Sequence, residues 1–354
     1  MTDHHTDVRR RPRLASEPAF SDSAYRESRE GGNQAACNQV QVEWHGTWSE
    51  DVADAFAALP YDPLMDPELV RRLWEDGLGR DRQKIALLRS PQGEWVGAVP
   101  LRKRGKLSWQ LLTQYVMPYA RFFVLPEYTD AALDALGSEI DCKNVGFSQT
   151  PANTRMLRPE ESWVTVLEPT YDALMRRTKY RKEDRQCRRY AEGLTLMEDR
   201  FDLLPEALHL WQKKWLEEGS RVAATRKNDL LLCFQILAQQ GRLKTFSLHD
   251  GDSFAAMEMN MIGPKTMYSI TTIMRDEYRQ NHAGIRLTLA AMEWGCEHGM
   301  TEYDMLRTSG HYKKRWAEPL IRSHRLIRKP LGSETLGLAL ENAKDALWRL
   351  RHKE

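Results

Sequence analysis

Cysteine is sparse and unpatterned in this chain. The five residues, Cys37, Cys142, Cys187, Cys233 and Cys296, are odd in number and widely spread. No CxxC pair and no Cys/His grouping at ligand spacing occurs, which argues against a zinc centre or a disulfide scaffold and fits a reducing compartment. Long apolar runs are missing too: no window approaches the roughly eighteen apolar residues of a membrane-spanning helix. The basic cluster Arg9-Arg10-Arg11 is followed by polar sequence rather than by the apolar core of a secretion signal, so a cytoplasmic location is expected. Nor is one sign of charge in excess. Lys and Arg number 52 against 50 Asp and Glu, a net charge of +2, so nothing draws the whole chain to DNA or membrane and only local basic patches remain to consider. What is present, 41% hydrophobic and 29% charged residues over 354 positions, supports a real core in two units of ordinary size.

Residues 1–38, poor in large aliphatic side chains and rich in Arg, Ser, Glu and Gly, read as a disordered leader. A strand pattern at 40–44 then leads to a helix at 48–59, and a second helix starts at Asp66-Pro67, with proline at an early helical position. Strands are expected at 84–90 and 95–101, parted by the turn Pro91-Gln92-Gly93-Glu94, then at 106–112, 120–124 and 143–148, with a helix at 129–140. The second half repeats the order. A basic helix (171–191) and a strand (194–198) precede helices at 204–218 and 227–240, the latter closed by Gly241. Strands at 244–249, 254–262 and 266–274 follow, then a helix at 283–298 closed by Gly299, a strand at 302–306, a short helix at 312–317 and a strand at 320–328. The expected fold is α/β (α+β): two tandem modules, 39–165 and 166–330, each a mixed, mostly antiparallel sheet flanked by helices. Within 331–354, Leu336, Leu340, Ala343, Leu347 and Leu350 form an apolar stripe on an amphipathic helix. Such a helix suits packing on its own domain first, and otherwise dimerisation or peripheral membrane contact. Monomer and homodimer both stay open.

Chemistry concentrates in TMYSITTIMRDEYRQNHAGIRLTLAAMEWGCEHGMTEYDML, residues 266–306: a strand, a polar turn with one glycine, a long helix and a strand. A helix N-terminus behind a strand exposes unpaired N–H groups and the positive end of the macrodipole, which suit a pyrophosphate. Arg279, Gln280, Asn281, His282, Ala283, Gly284 and Ile285 sit at that junction. Gly284 lets the backbone approach a phosphate and Arg279 adds charge. A lone glycine before a helix more often has a purely structural reason.

The order over 204–316 resembles the GNAT superfamily of acyltransferases, in particular its CelD-like or BioF2-like acetyltransferase branch. The resemblance is carried by MRRTKYRKEDRQCRRYAEG, WQKKWLEEG, DGDSFAAMEMNM, HAGIRL and, most specifically, EYDMLRTSGHYKKRW. It extends over about 42–328, because the first half, through WVGAVPLRKRGKLSWQ, is similar to the amino-terminal half of that branch; Fem aminoacyltransferases are built of similar tandem modules. The usual phosphate loop, Arg/Gln-x-x-Gly-x-Gly/Ala, is reduced here to Gln280-Asn281-His282-Ala283-Gly284-Ile285, with one glycine.

The resemblance implies an acyl-CoA co-substrate, acetyl-CoA foremost, no metal, and an amine of a small molecule or sugar as acceptor. The strand at 266–274 would offer its backbone to the pantetheine arm, with Ile273 and Met274 at its end. Acyl transfer needs a base for the amine, oxyanion stabilisation and a proton for the thiolate. Alternation in the strand at 254–262 puts Phe254, Ala256, Glu258, Asn260 and Ile262 on one face. Glu258, among apolar neighbours, is then a candidate base, with Asn260 beside it toward substrate. Asp304 is a second base, Tyr312 a proton donor, and Lys313 a contact for an acidic substrate group or a CoA phosphate. Structural roles stand beside each: an ion pair for Glu258, a hydrogen-bond acceptor for Asp304, and packing on Trp316 for Tyr312.

Between Arg176 and Arg189, eight Lys or Arg residues face Glu183 and Asp184. Arg177 and Arg181 lie on that basic side, which is either a solvated face or a grip for an anionic acceptor. Trp215, four residues after Trp211, is either cleft wall or a stacking platform. Two other readings remain: a Fem-like transferase drawing on aminoacyl-tRNA, and a catalytically degenerate GNAT-fold binding protein.

Overall fold

The computed structural model describes residues 39–77, 82–104, 108–114, 116–136, 140–147, 151, 157–178, 181–217, 221–307 and 313–326. The expected leader and terminal helix lie outside the described residues. In the first part, β1 (Gln41–His45) is followed by α1 (Glu50–Ala58) and α2 (Pro67–Asp76), then by β2 (Gln83–Arg89), β3 (Trp95–Arg104) and β4 (Ser108–Leu111). Helix α2 starts where its sequence says: Asp66 accepts from the Leu69 N–H at 2.9 Å and Pro67 stands at the first helical position. The four strands pair antiparallel in the order β1-β2-β3-β4.

A second sheet of nine strands takes in the rest. Its members are β5 (Ala120–Arg121), β6 (Cys142–Gly146), β7 (Leu157–Val166), β8 (Thr195–Glu198), β9 (Leu243–Asp250), β10 (Ser253–Ile262), β11 (Thr266–Met274), β12 (Glu302–Asp304) and β13 (Glu318–Leu326). Their order is β5-β6-β13-β7-β12-β11-β10-β9-β8, so β7, at the expected boundary between the halves, lies between two strands of the second half. Helices α3 (Thr129–Leu136), α4 (Tyr171–Thr178), α5 (Arg181–Tyr190), α6 (Leu204–Glu217), α7 (Arg221–Gln239), α8 (Ala283–Glu297) and α9 (Lys313–Trp316) complete the described elements.

Three expectations need correction. Strand β7 was not expected at all: Pro159 and the pair Glu160-Glu161 break its alternation, yet it is held by a ladder on each side. The single basic helix at 171–191 is two helices, α4 and α5. In β10, Phe254 packs with Met257, Met259 and Met261 rather than with Ala256, because the pairing with β9 slips between Phe254 and Ala256.

Packing ties the stretches together. One apolar cluster joins Phe56, Leu69 and Trp74 of the first part to Phe234, Leu237 and the β10 methionines, while a second lies between α8 and the other face of the sheet. Each such side chain contributes about 1.5–3 kcal/mol by leaving water.

Candidate active site

Strands β11 and β12 run parallel for only three residues, with Thr266, Met267 and Tyr268 opposite Glu302, Tyr303 and Asp304. After Asp304 the chain follows β7 instead: the Met305 N–H donates to the Trp163 carbonyl at 2.8 Å, and Trp163 N–H returns a bond to Leu306. Residues 269–274 of β11 therefore part from β12, and a wedge opens whose closed end is marked by Asp304.

Beyond β11 the chain passes through a 3-10 turn (Asp276–Asn281) into α8. His282 has φ 51° and ψ 30°, the left-handed conformation, and its side chain makes no cap bond. The Arg286 N–H reaches the His282 carbonyl at 3.0 Å, so the amides of Ala283, Gly284 and Ile285 precede the first helical bond. A β-carbon on Gly284 would meet only Thr272, at 3.9 Å, so the protein's own packing does not demand a glycine there. Arg279 is exposed and paired with Asp276 at 2.9 Å, and Gln280 is exposed. Asn281 donates to the Tyr190 carbonyl, and the His282 ring stacks on Tyr190 at 4.8 Å. Ile273 points into the apolar cluster shared by both parts, and Met274 packs against the cluster under α8.

The two candidate bases face opposite ways. Glu258 is fully buried on the α8 side and accepts from Ser269 (3.4 Å), Thr272 (3.3 Å), Thr288 (3.0 Å) and the Tyr303 phenol. Burial raises its pKa, and those hydroxyls hold it back. Asn260, also fully buried, is near enough to draw that pKa down, although neither amide atom makes a hydrogen bond of good geometry. Asp304 follows Tyr303 directly and so projects from the other face. The Tyr119 phenol donates to its Oδ2 at 2.5 Å and the Leu306 N–H to its Oδ1 at 2.7 Å; burial pushes its pKa to about 6.

Lys313, at the start of α9, is buried and donates to the carbonyls of Met305 and Leu306. Burial pulls its pKa down to about 8, while Asp304 and Glu258 both act to raise it, so the ammonium feels both carboxyl groups. The fold thus sets Asp304 and Lys313 at the closed end of the wedge, with Glu258 on β10, facing α8. Tyr312 lies outside the described residues. Tyr119, Ser162 and Tyr268 were not anticipated from sequence. No local pattern marks Tyr119 or Ser162, which reach Asp304 only through the tertiary fold.

Part of the basic surface is matched by acids: Arg177 pairs with Glu168 (2.6 Å), Arg181 with Asp172 (2.5 Å), and Arg188 with Asp184 and Glu293. Trp215 is exposed on α6, 6.5 Å from Trp211. Among the described residues, no cluster of three His, Cys, Asp or Glu side chains is placed to hold a metal, and no helix is long and apolar enough to cross a membrane.

Residues 175–314 match the family described as acetyltransferase (GNAT) domain. No curated protein matches the sequence. Among solved structures, FemX superimposes with a TM-score of 0.52 at 13% identity, over 81% of this chain and 98% of that one. A tandem GNAT protein from the clavulanic acid biosynthesis pathway gives 0.43 at 13% identity, over 81% and 97%. L-PGS from Bacillus licheniformis gives 0.41 at 14%, over 78% and 96%. Residues 175–314 are thus similar to a GNAT acetyltransferase domain, and the chain shares its fold with FemX.

Proposed function

We propose that the protein is a cytoplasmic N-acyltransferase of the CelD-like or BioF2-like branch, moving an acyl group from acyl-CoA to an amine of a small molecule or sugar in polysaccharide or cell-envelope metabolism. Residues 39–165 are its first module and 166–330 its second. The observation that carries this is the wedge: free amides of Ala283, Gly284 and Ile285 lie near its open end and two titratable groups, Asp304 and Lys313, at its closed end. Arg279 and the 280–285 backbone hold the pyrophosphate, and the edge of β11 left free beyond Tyr268 receives the pantetheine arm.

Asp304, poised near neutrality, accepts the amine proton as the C–N bond forms and the C–S bond breaks, and Lys313 supplies positive charge to the developing oxyanion. Glu258 is one strand farther away beneath α8 and acts as the polar tie that holds β10, β11, β12 and α8 in place. By the family resemblance Tyr312 is assigned the proton for the departing thiolate, and Arg177, Arg181 and Trp215 contacts to the acceptor; Asn260, fully buried beside Glu258, is left a structural role.

Thermal unfolding with acetyl-CoA, longer acyl-CoAs and aminoacyl-tRNA tests the reading. Stabilisation of about 2.7 kcal/mol at a hundredfold excess over Kd is expected for CoA thioesters alone. Release of free thiol should then depend on an added amine. Stabilisation by aminoacyl-tRNA instead would favour a Fem-like donor, and CoA binding without thiol release across an amine panel a binding protein. Arg279→Ala should weaken acetyl-CoA binding roughly two- to fivefold by calorimetry, the share of one exposed charge; equal affinities would move the phosphate site off this turn.

A further inference from the structure

The chemistry above leaves the first part of the chain without a task, yet the strongest side-chain contact of Asp304 comes from there. Tyr119 lies just before β5, 185 residues ahead of Asp304, and is buried. Its oxygen is 2.5 Å from Asp304 Oδ2 and 2.7 Å from Ser162 Oγ of β7. A phenol has one proton; given to the carboxylate, it leaves the phenol oxygen to accept from the serine. The row therefore has a direction, Ser162 to Tyr119 to Asp304. Tyr268 packs edge-on against the Tyr119 ring at 6.1 Å, which fixes its plane.

We propose that Tyr119, seconded by Ser162, is a positioning residue of the acyl-transfer site: it holds one oxygen of Asp304 while the Leu306 amide holds the other, so the carboxylate presents its free lone pairs to the incoming amine. This rests on the reading of Asp304 as base. The site of the second module is then incomplete without the first. The other charged or titratable groups facing Asp304 are Tyr268 from β11, Glu302 from β12, Arg322 from β13 and Lys313 from α9, with Glu258 of β10 acting on Lys313.

The phenol bond favours the charged form, so its loss must raise the carboxyl's pKa. In Tyr119→Phe the acidic limb of kcat/KM should move up by about one pH unit, with about tenfold less activity below it. Acetyl-CoA affinity should change little, and the unfolding temperature should fall by only a few degrees as the two buried partners lose the phenol. Ser162→Ala should shift the limb the same way by less. Independently of turnover, Asp304 can be titrated by NMR of carboxyl-labelled aspartate in wild type and in both variants; the same upward displacement is expected. An Asp304 titration unmoved in Ser162→Ala and in Tyr119→Phe overturns the proposal. A shifted titration in a protein that never releases thiol would leave the contact standing and sink the acyl-transfer reading.

Discussion

Asp304→Asn is expected to lower kcat about 10²- to 10⁴-fold, the usual worth of a positioned proton acceptor, with the affinity for acetyl-CoA unchanged by calorimetry. The amide keeps an oxygen for the Leu306 N–H but cannot take a proton from an ammonium group. A second signature follows from burial. The folded-state pKa is raised from 3.8 to about 6, so the native protein holds this proton more tightly than the unfolded chain does. Stability therefore falls as pH rises through that window and is fully recovered below it. About two units at about 1.4 kcal/mol each amount to up to ~3 kcal/mol that the asparagine variant does not lose. Its stability relative to wild type should rise between pH 4 and 6 in denaturant titrations. An active variant, or a flat difference across that range, would remove Asp304 from the role of base.

Replacing Glu258 should have the larger effect on folding and the smaller one on chemistry. Glu258→Ala strands four hydroxyl donors, those of Ser269, Thr272, Thr288 and Tyr303, and leaves a cavity beneath α8. A loss of about 2–5 kcal/mol is expected. Glu258→Gln retains the volume and one acceptor oxygen, so it should keep most of the stability and lose less than about tenfold in kcat, far less than a true base would lose. A collapse of kcat in a stably folded Glu258→Gln protein would reverse the two carboxylates' roles. Chemical denaturation and steady-state rates on the same preparations decide between them.

Much of the second half could be read along the chain. The predicted helix at 283–298 is Ala283–Glu297, the strand at 266–274 matches to the residue, and Gly241 and Gly299, named as helix closures, carry φ of 68° and 70°. These features depend on contacts within a few residues, which is the range that periodicity and glycine placement report. Strand β7 escaped because it is selected by its two neighbours rather than by its own alternation: Glu160 is matched by Arg307 from across the sheet, and Ser162 by Tyr119. The bulges in β10 were equally invisible, since a slip of pairing depends on the partner strand.

The order of residues alone placed a strand, a phosphate-suited turn and a helix in succession, and put Glu258, Asp304 and Lys313 among the candidates. It could not say that two carboxyl groups of one strand-rich segment would face opposite sides of a sheet, or that a tyrosine from the first part would bind one of them. A side chain's acidity is set by what surrounds it, and for Asp304 those surroundings are assembled by strand order: β7 lies between β12 and β13, and Tyr119 closes over them from far upstream. Spacing along a chain is a local property, whereas burial and partnership depend on pairings between residues more than a hundred positions apart.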